Sequence, residues 1–210
     1  NMKKLIILAA GQGKRLRPLT NDRPKCLVHL GDRSLLNWQI EAAKKCGITD
    51  ITVIGGYRAE QFKAYDVNLI VNPNYAHTNM VRSLFCGRDL FKNGFILSYG
   101  DIVYSSEVLS AIQNSSAEIG IAVDHQWKTY WSQRFEDPLS DAESLKLTSE
   151  GNIISIGQKV STVDEIEGQY IGLTRFSKTG VDAIRTAYAR AENDLRDGRP
   201  CFGRIQDLDN

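Results

Sequence analysis

Cysteine is scarce in this sequence and never closely paired. Its four cysteines, Cys26, Cys46, Cys86 and Cys201, form no CxxC unit, which argues against a zinc site. They read as reduced thiols of a cytoplasmic protein. Surplus charge is missing too. The 26 Lys and Arg against 25 Asp and Glu leave a formal charge of +1, too little for the broad basic face of a nucleic-acid binder. No apolar run is long enough to cross a bilayer. The run after Lys3-Lys4 imitates a signal peptide, but it stops at Gly11, short of a usual h-region. Linkers, repeats and low-complexity blocks are also lacking. What is left is 210 residues, 42% of them hydrophobic, enough for one substantial domain with a real core. Residues 1–210 therefore read as a single domain. The closing IQDLDN has no clear final element and reads as a truncated end.

Two familiar phosphate fingerprints are missing as well. A P-loop needs GxxxxGK[ST], but Gly13-Lys14 is followed by Arg15 and lacks the first glycine at the right spacing. A dinucleotide fingerprint needs GxGxxG, but Leu16 stands where the third glycine belongs. The chain still opens on a phosphate-like device. Leu5 to Ala10 is a buried-strand run. It breaks at Gly11-Gln12-Gly13, and Lys14, Arg15 and Arg17 follow. Glycines let backbone N–H groups approach phosphate oxygens, and cations offset their charge. A core strand ending in a solvated basic loop is the plainer alternative.

Along the chain, Ser34 can cap a helix through Leu35, Leu36, Ile40 and Ala43 that ends near Gly47. Ile51–Ile54 is a second buried strand, Arg58–Ala64 a short helix, and Val67–Val71 a third strand. Asn79–Leu90 fits a helix and Phe95–Leu97 a fourth strand. This alternation implies an α/β fold, a Rossmann-like, mostly parallel sheet with helices on both faces. Ligands of such sheets bind beyond the carboxyl ends of the strands. There lie Gly11, Gly55, Gly56, Gly100 and Asp101. A carboxylate at Asp101 can hold Mg²⁺ beside nucleotide phosphates. The second half reads as a strand at Ile119–Val123, a hairpin of Leu145–Leu147 with Ile153–Ile156, a strand at Tyr170–Phe176 and a helix at Ser177–Arg196, and the whole as one α/β domain with a smaller β lobe inserted or appended. Residues 1–115 read as a nucleotide-binding half and 116–210 as an acceptor-binding half. Trp127, Tyr130 and Trp131 suit either an acceptor pocket or a small satellite core.

The string LAAGxGxRLxPLT, followed by RPKCL, resembles the signature of nucleotidyltransferases that make nucleoside-diphosphate sugars and related activated compounds. ILSYGDIVY resembles that family's aspartate segment. NPNYxxTNMxxSL, with Gly55-Gly56-Tyr57, resembles the cytidylyltransferases that activate phosphocholine, phosphonates and phosphorylated amino-acid-like acceptors. VDxxWxxYWxxRFxDPLxDAESL and EGQYIGL resemble one subgroup of these. The resemblance covers nearly the whole chain and implies a nucleotide-diphospho-sugar transferase-like fold. It implies transfer of CMP from CTP to a small phosphorylated or phosphonate acceptor, with Mg²⁺ as cofactor and pyrophosphate released. It leaves room for a homodimer and calls for neither nucleic acid nor membrane.

Carried onto this sequence, the resemblance assigns CTP binding to Leu8, Ala9, Ala10, Gly11, Gly13, Gly56, Tyr57, Thr78, Asn79, Ser83 and Gly100. Amides and hydroxyls there can read a base edge and a ribose, although Thr78 or Asn79 could equally cap a helix. It assigns catalysis to Arg15, Lys25 and Lys159, the last toward the acceptor's phosphate. It assigns acceptor binding to Trp127, Trp131, Arg134, Gln169 and Tyr170, and metal binding to Asp101. The family's second metal carboxylate has only Asp207 and Asp209 as candidates, and Asp209 is taken. Lys128 and Arg134 beside the aromatics would repel a quaternary ammonium, so the acceptor reads as a small zwitterion, with Trp127 and Trp131 as walls and Arg134 toward a carboxylate. The rivals are a sugar-1-phosphate uridylyl- or thymidylyltransferase and a nucleotide-sensing domain without turnover.

Overall fold

The apolar run at the start of the chain becomes the strand around which a mixed sheet is laid. The computed structural model describes residues 2–129, 139 and 142–196. After β1 (Lys4–Ala9), a two-residue ladder of β2 (His29–Leu30) and β3 (Arg33–Ser34) turns on Gly31 at φ +70°. Then come α1 (Leu35–Lys45), β4 (Asp50–Gly55), β5 (Asn68–Val71), α2 (Met80–Cys86), β6 (Phe95–Tyr99) and α3 (Ser106–Asn114). The chain goes on through β7 (Ile119–Asp124), β8 (Glu143–Leu147), β9 (Ile153–Lys159), β10 (Gln169–Phe176) and α4 (Lys178–Arg196).

Six strands lie in the order β5-β4-β1-β6-β10-β7. The pairs β4–β5, β1–β4 and β1–β6 are parallel, with Leu5 opposite both Ile51 and Ile96. β10 runs antiparallel to β6. The expected mostly parallel sheet is therefore present, with an antiparallel strand laid on its fourth member.

Period-two alternation puts the apolar side chains of β1 on both faces, and helices cover both. Ile6, Ile54, Phe95 and Leu97 pack with Leu84 and Phe85 of α2 and Val181 of α4. Phe95 stacks between Phe91 and Phe176, at centroid distances of 4.5 and 5.0 Å. The opposite face belongs to α1, whose Gln39 takes a hydrogen bond from Ser98 of β6. Ser34 caps α1 as its sequence implies, accepting from Asn37 N at 3.2 Å.

Some boundaries differ from the sequence reading. Asn79 caps α2, but the helix stops at Gly87, and a 3₁₀ turn takes over Arg88–Phe91. A Cβ on Gly87 would stand 3.0 Å from Ile54 Cδ1, so this corner lies close against the sheet. The segment after Arg58 is 3₁₀, Ala59–Ala64, entered through Arg58 at φ 52°. α3, capped by Ser105, was not expected at all.

The chain divides into two units, one of Asn1–Gly120 with Gly172–Asn210 and one of Ile121–Ile171. The first unit is thus built from two stretches of chain and the second from the stretch between them. In the second unit β8 and β9 form an irregular antiparallel hairpin, and Trp127, Ala142 and Ile166 make a small core with Leu139 and Val160. Among the described residues no helix is long and apolar enough to cross a membrane.

Candidate active site

Because β1 pairs in parallel with both β4 and β6, the loops leaving these three strands emerge side by side at their carboxyl ends. The parallel strands, taken as 3-2-1-4 in chain order, place the switch point between β1 and β6, where α/β sheets bind ligands. Backbone hydrogen bonds stitch the loops together. Gly100 N donates to Leu8 O at 2.8 Å, Tyr57 N to Ala10 O at 3.1 Å and Asn72 N to Gly55 O at 2.8 Å.

The loop after β1 is held in shape from below. Gly13 stands at φ +59°, which favours glycine, and leads into a 3₁₀ turn over Lys14–Leu16. The Thr20 hydroxyl, fully buried, donates to Gly13 O at 2.8 Å. Tyr57 donates its hydroxyl toward Thr20 O and Asn21 O, at 3.1 and 2.7 Å. Gln61 Nε2 reaches Asp22 O at 2.5 Å. The loop is therefore fastened to the end of β4. Lys14, Arg15 and Arg17 are exposed on it and make no ion pair among the described residues. Three cations without an acidic partner on a glycine turn form a place for a polyanion.

Lys25 and Asp101 meet in front of β1 and β6, with Lys25 Nζ 2.5 Å from Asp101 Oδ2. Each side chain keeps 37% of its surface exposed, so both remain open to a ligand. Gly100 allows the approach, since a Cβ there would stand 2.7 Å from Leu8 O and 3.2 Å from Cys26 Cβ. Cys26 lies buried beside this pair, and burial pushes its thiol up to about 12. It stays protonated at neutral pH and is no nucleophile.

Mg²⁺ is held by one or two carboxylates together with phosphate and water oxygens. Asp101 is a hard oxygen donor at a strand end beside cations, and it fits such an ion. Among the described residues no group of three potential metal ligands occurs. Asp207 and Asp209 lie outside the described residues.

The base-reading candidates sit beyond β5 on the same edge. Asn72 is their hub: Nδ2 donates to Thr78 Oγ1 at 2.8 Å and Ser83 Oγ at 2.9 Å, and Oδ1 accepts from Asn74 N. Thr78 donates onward to Asn74 O, and Asn79 Oδ1 caps Arg82 N. These groups therefore have structural partners already, as the capping alternative implied. Gly56 brings Tyr75 close, because a Cβ on it would stand 2.5 Å from Tyr75 Cβ. The rings of Tyr57 and Tyr75 meet edge-on at 6.4 Å. Leu8, Ala9 and Ala10 supply the end of β1.

In the second unit, Lys159 is exposed at the last position of β9, opposite Glu143. Trp127 is 3% exposed and packs in the small core. Of the two readings of the aromatic segment, the satellite core describes this ring, which offers no open wall. Gln169 is buried and its amide is engaged, taking a bond from Glu143 N and giving bonds to Glu143 O and Gly168 O. Tyr170 follows it, half-buried, on β10. Tyr130, Trp131 and Arg134 lie outside the described residues.

Sequence reasoning passed over Thr20, Gln39 and Gln61, which hold the loops. One signal was present, since Gln39 is a polar residue on the apolar stripe Leu36, Ile40, Ala43 of α1.

Comparison with known proteins agrees with this geometry. Residues 5–148 match the family model for the MobA-like NTP transferase domain. The chain is 42% identical over 201 residues to CTP:phosphoglutamine cytidylyltransferase of Campylobacter jejuni, covering 90% of this chain and 79% of that one. It is 28% identical to 2-aminoethylphosphonate cytidylyltransferase of Lancefieldella rimae, covering 87% and 69%. Among solved structures, CTP:phosphocholine cytidylyltransferase of Streptococcus pneumoniae shares the fold, with a TM-score of 0.66 at 24% identity over 98% of this chain and 82% of that one.

Proposed function

This chain belongs to the family of MobA-like NTP transferase domains, and from that premise we propose that it transfers CMP from CTP to a small phosphorylated or phosphonate acceptor. The observation that carries the reading is the meeting of the β1, β4 and β6 loops, with cations on one that make no ion pair among the described residues and the Lys25–Asp101 pair beside them. An oxygen of the acceptor's phosphate or phosphonate attacks the α-phosphorus of CTP. The bond from that phosphorus to the bridging oxygen of the β-phosphate breaks, and pyrophosphate leaves with the electron pair. The acceptor is already an anion, so no protein nucleophile is needed, in keeping with a Cys26 thiol held protonated.

In this reading the Gly11–Gly13 backbone and Arg15 hold the triphosphate. Lys25 offsets the charge that grows on the reacting phosphates, where a fixed cation stabilises the transition state most. Asp101 would hold Mg²⁺, which neutralises phosphate charge when bound. Lys159 meets the acceptor's phosphate as a point charge. The reaction runs in the cytoplasm, where CTP is supplied.

The relatives are named for phosphoglutamine, 2-aminoethylphosphonate and phosphocholine. Each of these molecules carries both a phosphate or phosphonate group and a nitrogen. Burial of Trp127 takes one ring away from a choline cage and equally one wall from the pocket expected for a zwitterion, so the acceptor with its own amine and carboxylate rests on the similarity to the phosphoglutamine enzyme. The test is pyrophosphate release from CTP, UTP, dTTP and GTP, each with phosphoglutamine, 2-aminoethylphosphonate, phosphocholine and a sugar 1-phosphate. CTP with an amine- and carboxylate-bearing acceptor should give the highest kcat/KM. Turnover of UTP or dTTP with a sugar 1-phosphate, and not of CTP, would replace this reading with the sugar one. Tight CTP binding without turnover of any acceptor would make the chain a nucleotide sensor.

A further inference from the structure

The carboxylate at Asp101 sits on a turn, and the turn is held by a residue that no ligand would touch. Gln39 lies in the middle of α1 and is fully buried. Its Nε2 donates to Tyr99 O at 2.9 Å and to Ile102 O at 2.7 Å. Those are the two carbonyls that flank Gly100 and Asp101. Its Oε1 accepts from the Ser98 hydroxyl at 2.8 Å and from the Tyr104 hydroxyl at 3.3 Å. An amide offers two donor hydrogens and two acceptor lone pairs, and here all four are used. Turning the amide over would set its oxygen against two carbonyls, which can only accept, so those carbonyls fix its orientation. From the other side, Gly100 N is bound to Leu8 O at 2.8 Å. The turn is thus clamped between β1 and α1. Asp101 itself is exposed, with Lys25 as its ion-pair partner, so its place is set through its backbone.

We propose that Gln39 is the positioning residue for the metal carboxylate, presenting Asp101 by fixing both ends of the Tyr99–Ile102 turn. The proposal rests on the reading of Asp101 given above. Residues that orient a metal ligand typically change metal affinity about 10- to 100-fold when altered.

The experiment measures Mn²⁺ affinity by electron spin resonance with CTP present and no acceptor, alongside kcat and KM for CTP. Gln39→Met keeps the volume and loses all four bonds. Gln39→Glu keeps the acceptors and loses the donors to the two carbonyls. Both should weaken Mn²⁺ binding about tenfold or more and lower kcat, with KM for CTP changed much less. Tyr104→Phe removes one bond to Oε1 and leaves the clamp, so it can lower stability while Mn²⁺ affinity stays at the wild-type value. A folded Gln39 variant with wild-type Mn²⁺ affinity and kcat overturns the proposal. Should neither Gln39 variant fold, Gln39→Asn keeps an amide that is one methylene too short to reach both the Tyr99 and Ile102 carbonyls. That variant should weaken Mn²⁺ binding, and unchanged affinity there overturns the proposal equally. Asp101→Asn run in parallel separates the two layers. Wild-type Mn²⁺ affinity in Asp101→Asn removes the metal reading itself, whereas loss in Asp101→Asn with normal Gln39 variants removes only the role of Gln39.

Discussion

Replacing Gly100 by alanine adds one methyl group at the tightest point of the site. That Cβ would stand 2.7 Å from Leu8 O and 3.2 Å from both Ala9 Cβ and Cys26 Cβ. Leu8 O belongs to the backbone of the central strand, and Cys26 is 1% exposed, so neither can swing aside. Overpacking of this kind costs about 1–3 kcal/mol. The shift that relieves it opens the Gly100 N to Leu8 O bond, which adds about 1 kcal/mol. A total of about 2–4 kcal/mol should lower Tm by roughly 4–16 °C in a chain of this size. The same shift moves Asp101, and a displacement of about 1 Å at a reacting site can cost about 100-fold in rate. Thermal unfolding by circular dichroism and turnover at 25 °C would read both effects. Gly11→Ala is the control for stability, since a Cβ there meets nothing within 4 Å. A Gly100→Ala protein with wild-type Tm and turnover would refute the argument that this turn is locked against β1.

Arg15→Ala should weaken CTP binding about tenfold or more in calorimetry, the scale of one charge-assisted hydrogen bond. Its Tm should not move, because Arg15 makes no ion pair among the described residues; unchanged CTP affinity would remove it from the triphosphate site. Lys159→Ala should raise KM for the acceptor or lower kcat while CTP affinity holds, and a loss confined to CTP binding would contradict that role. Cys26, 1% exposed, should resist iodoacetamide at pH 8 while exposed Cys86 reacts, as read by mass spectrometry. Its folded pKa of about 12 lies above the ordinary 9.0. The stability it contributes is therefore full below pH 9 and declines as pH rises from 9 toward 12. The urea midpoint of wild type should fall toward that of Cys26→Ala over this range, and a constant difference would contradict the shift.

The strands were legible because each is a short apolar run ended by glycine or polar residues, and burial on both faces demands such runs. Ser34 was legible as a cap because a hydroxyl before an apolar-periodic stretch has a local use. The antiparallel setting of β10 was not legible. It depends on where the chain re-enters the first unit after residue 171, and nothing within Gln169–Phe176 encodes direction. α3 was passed over although Ser105 and Glu107 mark its start and Leu109 and Ile112 its buried side. The 3₁₀ turn after Gly87 shows the reverse case. The apolar period continues through Leu90, while a glycine close against Ile54 ends the α-helix.

The site divides by the same logic. In the proposed site Gly13 and Asp101 stand in the loops just after β1 and β6 and Lys25 opens a short 3₁₀ turn, and a glycine, a cation and a carboxylate in such loops stand out in the sequence. Residues that hold them need only the right neighbour in three dimensions. Thr20 braces Gly13 from seven residues away, but Gln39 grips a turn about sixty residues further on. A single sequence shows only that Gln39 is a polar residue on an apolar stripe, which is costly unless its amide is satisfied. That anomaly is a signal with a cause. Burying an unpaired amide would cost about 1–3 kcal/mol from mutational data, so such a residue implies partners before they are seen. Trp127 gives the complementary lesson. An aromatic cluster among charges suited a ligand wall, yet a lobe with its own small core needs a large apolar side chain to close it. Trp127 supplies that with 3% exposure. Polar residues inside and apolar residues in polar company are thus both informative, but only the first pointed to the chemistry of this site.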